Sequence, residues 1–141
     1  MIDHFDGDYS FLSNFYPAEV AYEGVWYYTV EHAFQAAKTL DLGQREVVRK
    51  APTPAAAKKA GRSVTLRPDW ESVKVQVMEH LVRQKFNDHD LRKALLATGN
   101  EVLVEGNYWN DTFWGVCRGK GQNHLGRILM KVRDRIREKA S

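Results

Sequence analysis

Apolar residues recur at helical spacing through long stretches of this chain, and that pattern restricts the fold more than any other feature. Val73, Val77, Met78, Leu81, Val82 and Phe86 form one such stripe. Leu125, Ile128, Leu129, Val132 and Ile136 form a second near the C-terminus. Val30, Phe34 and Ala37 mark a third at i, i+4 and i+7. Local signals set the boundaries. Thr29 is placed to cap the helix that carries Val30, and Gly43 is predicted to end it. Thr53-Pro54 opens a short helix ending near Gly61, and Pro68-Asp69 opens the long one. Asp88 caps another helix that runs to Thr98, with Gly99 beyond it. Gly121 onward starts the last.

Strand signals are few. Val20-Ala21-Tyr22 and Val25-Trp26-Tyr27-Tyr28 flank Glu23-Gly24 and read as a hairpin. Glu101 to Glu105 reads as a further strand. Strands and helices do not alternate regularly. The expected architecture is therefore α+β, helix-dominated, with a small antiparallel sheet. No linker, repeat or low-complexity tract breaks the chain, and 141 residues fit a single domain spanning 1–141.

Composition excludes several classes. Hydrophobic residues at 43% and charged residues at 28% match a globular profile. The net charge of +3 is too small to mark a nucleic-acid binder by itself. No apolar run approaches the length of a membrane span, and the acidic start Met1 to Asp8 lacks the form of a signal peptide. The single cysteine, Cys117, excludes an internal disulfide and fits a reducing compartment, so a cytoplasmic location is expected. Charge is nevertheless uneven. Residues 1–37 hold six acids and no Lys or Arg, and residues 118–141 hold eight bases against Asp134 and Glu138. This reads first as a solvated basic helix, and second as a surface that steers an anion.

Four segments can carry chemistry. On the first helix Glu31, Gln35 and Lys38 share one face at i, i+4 and i+7. Spacing alone places such a face in water. The aromatic segment before it and the union of carboxylate, amide and amine weaken that reading and leave an acid/base set as the second one. In Asn107 to Gly115, Trp109 and Trp114 read as loop anchors, or as rings that stack a flat group while Asp111 acts chemically. Asp111 and Glu31 together would supply the carboxylate pair that glycosidic hydrolysis commonly uses. Gly119 to Gly126 is a glycine-rich loop that feeds a helix, read either as a turn and cap or as a phosphate cradle. Ser13 and Asn14 read as turn residues, with an amide for a ligand as the second reading of Asn14. Trp70 reads equally as core or as a ring platform. None of the five histidines makes an i, i+4 pair and Cys117 has no CxxC partner, so no metal site is expected.

The ordered set of motifs resembles a known family. Its parts are Phe11-Leu12-Ser13-Asn14-Phe15, Thr29 through Lys38, Gly61-Arg62 with Arg67-Pro68-Asp69-Trp70, Asp111 with Trp114-Gly115, and Gly119 through Met130. Together they resemble the NADAR superfamily, the YbiA-like N-glycosidases. The resemblance implies hydrolysis of the C–N bond between a ribose C1 and an exocyclic amine on a flat ring. Two substrate groups go with it: ribosylamino-pyrimidine phosphates of early riboflavin synthesis, and ADP-ribose on the amino group of guanine, including in nucleic acid. It implies Glu31 and Asp111 as catalytic carboxylates, with Lys38 as an amine able to form a Schiff base. Trp70 and Trp114 would wall the base, Asn14, Gln35 and Asn123 would bind polar groups of the sugar or phosphate, and Arg62 would contact phosphate. No metal or organic cofactor is implied, no membrane association is expected from the lack of a long apolar run, and nothing in the sequence specifies a protein partner. The alternative is a non-catalytic module that binds ADP-ribose, NAD or nucleic acid. Binding alone would not require Glu31, Asp111 and Lys38 together.

Overall fold

A computed structural model describes Met1–Ala140 and is dominated by helix, with two short strand pairs. Backbone proximity divides the chain into two compact units, Asn14–Lys85, and Met1–Ser13 together with the chain from Phe86 onward.

In the unit Asn14–Lys85, β1 (Val20–Tyr22) and β2 (Val25–Tyr27) pair antiparallel, with Val20 opposite Tyr27 and Tyr22 opposite Val25. Glu23 and Gly24 both hold positive φ, 48° and 83°, as a two-residue turn needs if it is to follow the strand twist. The side-chain amide of Gln84 accepts from the Ala21 N–H at 2.9 Å and donates to the Ala21 carbonyl at 2.6 Å. It serves β1 as a substitute strand partner.

Thr29 caps α1 (Val30–Ala37), its hydroxyl oxygen accepting from the His32 N–H at 3.0 Å. The helix stops at Lys38 and does not run on to Gly43. Asp41 opens a new helix, α2 (Leu42–Arg49), by accepting from the Gln44 N–H at 2.9 Å. Gly43 therefore lies within the first turn of α2. The break has a local cause: the Asp41 N–H donates to the Thr39 hydroxyl at 3.1 Å, an alternative to the helical ladder. Next come α3 (Pro54–Gly61), capped by Thr53, and α4 (Trp70–Lys85). The helix α1 packs against α2, α3, α4 and both strands, and all eight of its residues are buried. Its polar side, which spacing alone places in water, is thus covered.

The other unit starts with a 3-10 helix, Gly7–Leu12, and contains α5 (His89–Ala97), capped by Asp88. A parallel pair follows, β3 (Gly106–Asn107) with β4 (Val116–Cys117), and then α6 (His124–Ala140). Glu101 to Glu105 is not a continuous strand. Ile2 bridges Leu103 on one side, with Ile2 N–H to Val102 O and Val104 N–H to Ile2 O both 2.8 Å. On the other side the Asn123 amide takes the Glu105 N–H and the Leu103 carbonyl, both at 3.0 Å, so a side chain stands where a strand would pair. The last helix begins at His124 rather than Gly121, because Gly121 and Asn123 hold φ of 150° and 54°, outside the helical region. Leu125, Ile128, Leu129 and Val132 form its buried stripe, with Leu95 of α5 also buried.

Candidate active site

Burial decides the chemistry of α1. A carboxylate or amide withdrawn from water needs a partner, because an unpaired polar group in the interior is destabilising. Glu31 lies in the first turn of α1, where the helix dipole favours an anion. Its Oε1 accepts from Gln35 Nε2 at 2.8 Å, one turn along. The Glu31 backbone N–H donates to the Asn14 carbonyl at 3.1 Å, which ties the segment before β1 to the start of this helix. Beside it, His32 is clamped at both ring nitrogens. Nε2 lies 3.0 Å from the Ala51 carbonyl, and Nδ1 lies 2.8 Å from the Thr29 hydroxyl. A carbonyl can only accept, so Nε2 carries a proton.

Lys38 follows the last turn of α1 and is half-buried. Burial pushes its amine below the ordinary lysine range. Lys58, Arg62 and Lys74 push the same way, while the charge of Glu31 opposes them. The structure thus gathers Glu31 and Gln35 on α1 and Lys38 at its C-terminal cap, with the exposed Arg62 close enough to act on Lys38.

Other candidates of this unit are committed to packing. Trp70 is only 5% exposed, and its ring packs on Phe34 at 5.0 Å between centroids. It is a core residue, not an open ring platform. Asn14 turns its amide toward Met78, Nδ2 to Sδ 3.5 Å, and works through its backbone carbonyl.

In the other unit, Asp111 organises its own loop. Its Oδ1 accepts from the Phe113 N–H at 3.2 Å and the Trp114 N–H at 2.9 Å. Asn107 holds the same turn from outside: its Oδ1 accepts from the Asp111 N–H at 3.1 Å and its Nδ2 donates to the Asp111 carbonyl at 2.9 Å. Trp114 stands edge-on to Phe113 at 4.8 Å and half-buried. Asn123 spends both ends of its amide on the backbone of Leu103 and Glu105, which leaves that side chain a structural clamp rather than a sugar contact. The phosphate-cradle reading of Gly119 to Gly126 fails for a related reason. The N–H groups of Gln122, Asn123, His124 and Leu125 donate to the carbonyls of Thr112, Gly115, Phe113 and Trp114, at 2.7 to 3.3 Å. Donors already engaged with protein do not cradle an anion.

One unusual amine escaped the sequence reading. Lys85 ends α4 fully buried, and burial brings it down to about 7. Its Nζ lies 5.7 Å from the centroid of the Tyr16 ring. The signal was present: Lys85 falls at i+4 from Leu81, a lysine within the apolar stripe of α4.

Comparison with known proteins identifies the family. The family profile described as the NADAR domain matches residues 2–137. The chain belongs to the NADAR family. Its relatives include N-glycosidase YbiA of Escherichia coli, 44% identical over 133 residues that span 92% of this chain and 82% of that protein. An N-glycosidase of Nostoc punctiforme is 43% identical over 136 residues, spanning 92% of this chain and 86% of that one. A riboflavin biosynthesis protein of Vibrio vulnificus is 40% identical over 139 residues, spanning 96% of this chain and 38% of that longer protein. The solved NMR structure of Escherichia coli YbiA matches with a TM-score of 0.84 and 40% identity, across 99% of this chain and 89% of that one. This NADAR chain therefore shares the helix-dominated YbiA fold with its small antiparallel sheet. Among its described residues no helix is long and apolar enough to cross a membrane.

Proposed function

We propose that this NADAR protein hydrolyses the C–N bond between ribose C1 and the exocyclic amine of a pyrimidine, in a ribosylamino-pyrimidine phosphate, releasing ribose 5-phosphate and the free amine. The coarser statement, an N-glycosidase of the hydrolase class, has the support of two relatives named N-glycosidase. The finer one draws on the relative named for riboflavin biosynthesis. The observation that carries it is the buried face of α1: a carboxylate held by an amide, with a lysine whose pKa is depressed nearby.

Such an aminal opens readily. The ring oxygen leaves C1 with a proton, and the substrate nitrogen holds C1 as an imine. The neutral Lys38 amine adds to that carbon, and the pyrimidine amine departs with a proton. A Lys38–C1 Schiff base remains, which water hydrolyses to the sugar aldehyde and free lysine. Glu31 stabilises positive charge on C1 and shuttles the protons that these steps move. Burial of Lys38 raises the fraction of neutral amine, which is the reactive form. Arg62, exposed and near Lys38, supplies a guanidinium for the sugar phosphate. Asp111 is proposed as a second carboxylate, tested by its own variants, and Trp114 as a wall for the base. We place the reaction in the cytoplasm, where a lone thiol such as Cys117 stays reduced.

Mass spectrometry of products tests the reading. Purified protein receives a ribosylamino-pyrimidine phosphate and, separately, DNA carrying ADP-ribose on guanine, with Glu31→Gln as control. Ribose 5-phosphate from the first supports the proposal. Free ADP-ribose from the second alone would move the substrate to the guanine class. No product from either would favour a binding module over an enzyme.

A further inference from the structure

We infer that Gly61 is a positioning residue for Glu31: by lacking a side chain it lets the Gln35 amide lie against α3 and aim Nε2 at the carboxylate. The inference rests on the reading of Glu31 as a reacting group. Gly61 ends α3, buried, and is absent from the positive-φ positions of the chain. Its backbone therefore does not require glycine. Glycine also weakens a helix relative to alanine, so a separate reason is needed for it here. Space supplies that reason. A Cβ at Gly61 would stand 2.0 Å from Gln35 Oε1, 2.8 Å from its Cδ and 3.0 Å from its Cβ.

Gln35 has no easy escape. It is 4% exposed, so its amide cannot swing into water. Its Cβ is fixed by the backbone of α1, and its Nε2 is engaged by Glu31 at 2.8 Å. Its Oε1 is buried with no hydrogen-bond partner. No bond on the oxygen side would hold the amide in place if Gly61 pushed against it. The amide is kept by one hydrogen bond and by shape, so a methyl group at residue 61 displaces it and releases the carboxylate. A shift of this kind acts on chemistry rather than on substrate affinity.

The test uses the full chain with Gly61→Ala, Gln35→Ala and the double variant. Rates are measured on whichever of the two substrates the product assay shows to be cleaved, and the Gln35 side-chain amide protons are followed by NMR without substrate. Gly61→Ala is expected to lower kcat by about tenfold or more, with KM held within about twofold. It should also move the Gln35 amide resonances. The double variant should be no slower than Gln35→Ala alone, since Gln35 transmits the effect. Wild-type kcat in Gly61→Ala, losses that multiply in the double variant, or unmoved amide resonances would each overturn the inference. If Gly61→Ala does not fold, the double variant decides. Recovery of folding on trimming Gln35 supports the steric coupling, and continued failure refutes it. Glu31→Gln separates the two levels. Full activity there removes Glu31 from the chemistry whatever Gly61 does. An inactive Glu31→Gln beside a fully active Gly61→Ala removes only Gly61.

Discussion

Gln35 donates its side-chain amide to the carboxylate of Glu31 at 2.8 Å, within a helix whose eight residues are all buried. A carboxylate so placed is held in one rotamer, which suits a group that must meet a developing charge. A glutamine at residue 31 would still accept from Gln35 but would neither carry charge nor take up a proton. Glu31→Gln is expected to keep its melting temperature within a few degrees and to lose about 10²–10⁴-fold in kcat. Steady-state rates beside a thermal melt check both halves.

Lys38 has its amine pushed down mainly by burial. If its neutral form attacks C1, kcat/KM rises with pH and levels off below the ordinary lysine pKa, because the reactive species is the deprotonated amine. Lys38→Arg keeps the charge and removes the nucleophile, and is expected to be inactive. Cyanoborohydride added during turnover should attach the sugar phosphate to wild-type protein and leave Lys38→Arg unlabelled. Intact-mass analysis reads the result, and labelling of the arginine variant would exclude Lys38.

Asp111 accepts two backbone N–H groups through a single oxygen. Asparagine can accept both as well, so Asp111→Asn preserves the turn, whereas Asp111→Ala leaves those N–H groups without their acceptor. The alanine variant is expected to lose about 1–3 kcal/mol of stability by denaturant titration, and the asparagine variant much less. A large fall in kcat for Asp111→Asn would assign the carboxylate to chemistry. Full activity would leave Asp111 as a loop organiser alone.

Lys85, with its amine near 7, makes stability depend on pH in a definite sense. Below about pH 7 the lysine is charged in both folded and unfolded chains, and its contribution does not change with pH. From there to the ordinary lysine pKa the unfolded chain binds more protons, so stability rises with pH, by up to about 1.4 kcal/mol per unit. Above it both forms are neutral and the dependence ends. Wild type is expected to gain stability relative to Lys85→Met between about pH 6 and pH 10. Urea titrations across that range give the gap directly, and a gap independent of pH would contradict the assignment.

Local chemistry made much of this fold legible. Thr29, Thr53 and Asp88 cap α1, α3 and α5 as their types and positions predict. Glu23-Gly24 turns the first hairpin, and the apolar periods of α4 and α6 face inward. Each of these depends on residues within a turn or two of one another. The misplaced boundaries depend on competition. Gly43 as a helix end loses to the Thr39 and Asp41 side chains, and a strand over Glu101 to Glu105 loses to the amide of Asn123, which is distant in sequence.

The candidate site divides along the same line. The sequence by itself determined that Glu31, Gln35 and Lys38 share a face, because a helix of 3.6 residues per turn makes it so. It also carried the ordered motifs of the NADAR family. Tertiary structure alone decided that Glu31 and Gln35 are buried and Lys38 half-buried, since only the packing of α2, α3, α4 and the hairpin around α1 takes them out of water. That packing also set the direction of the Lys38 shift, made Trp70 a core ring and left room at Gly61 for the Gln35 amide, while contacts within the other unit spent the N–H groups before α6 on neighbouring carbonyls. Periodicity records which side chains point together. Desolvation and close approach depend on what the rest of the chain brings against them, and that is a property of the fold.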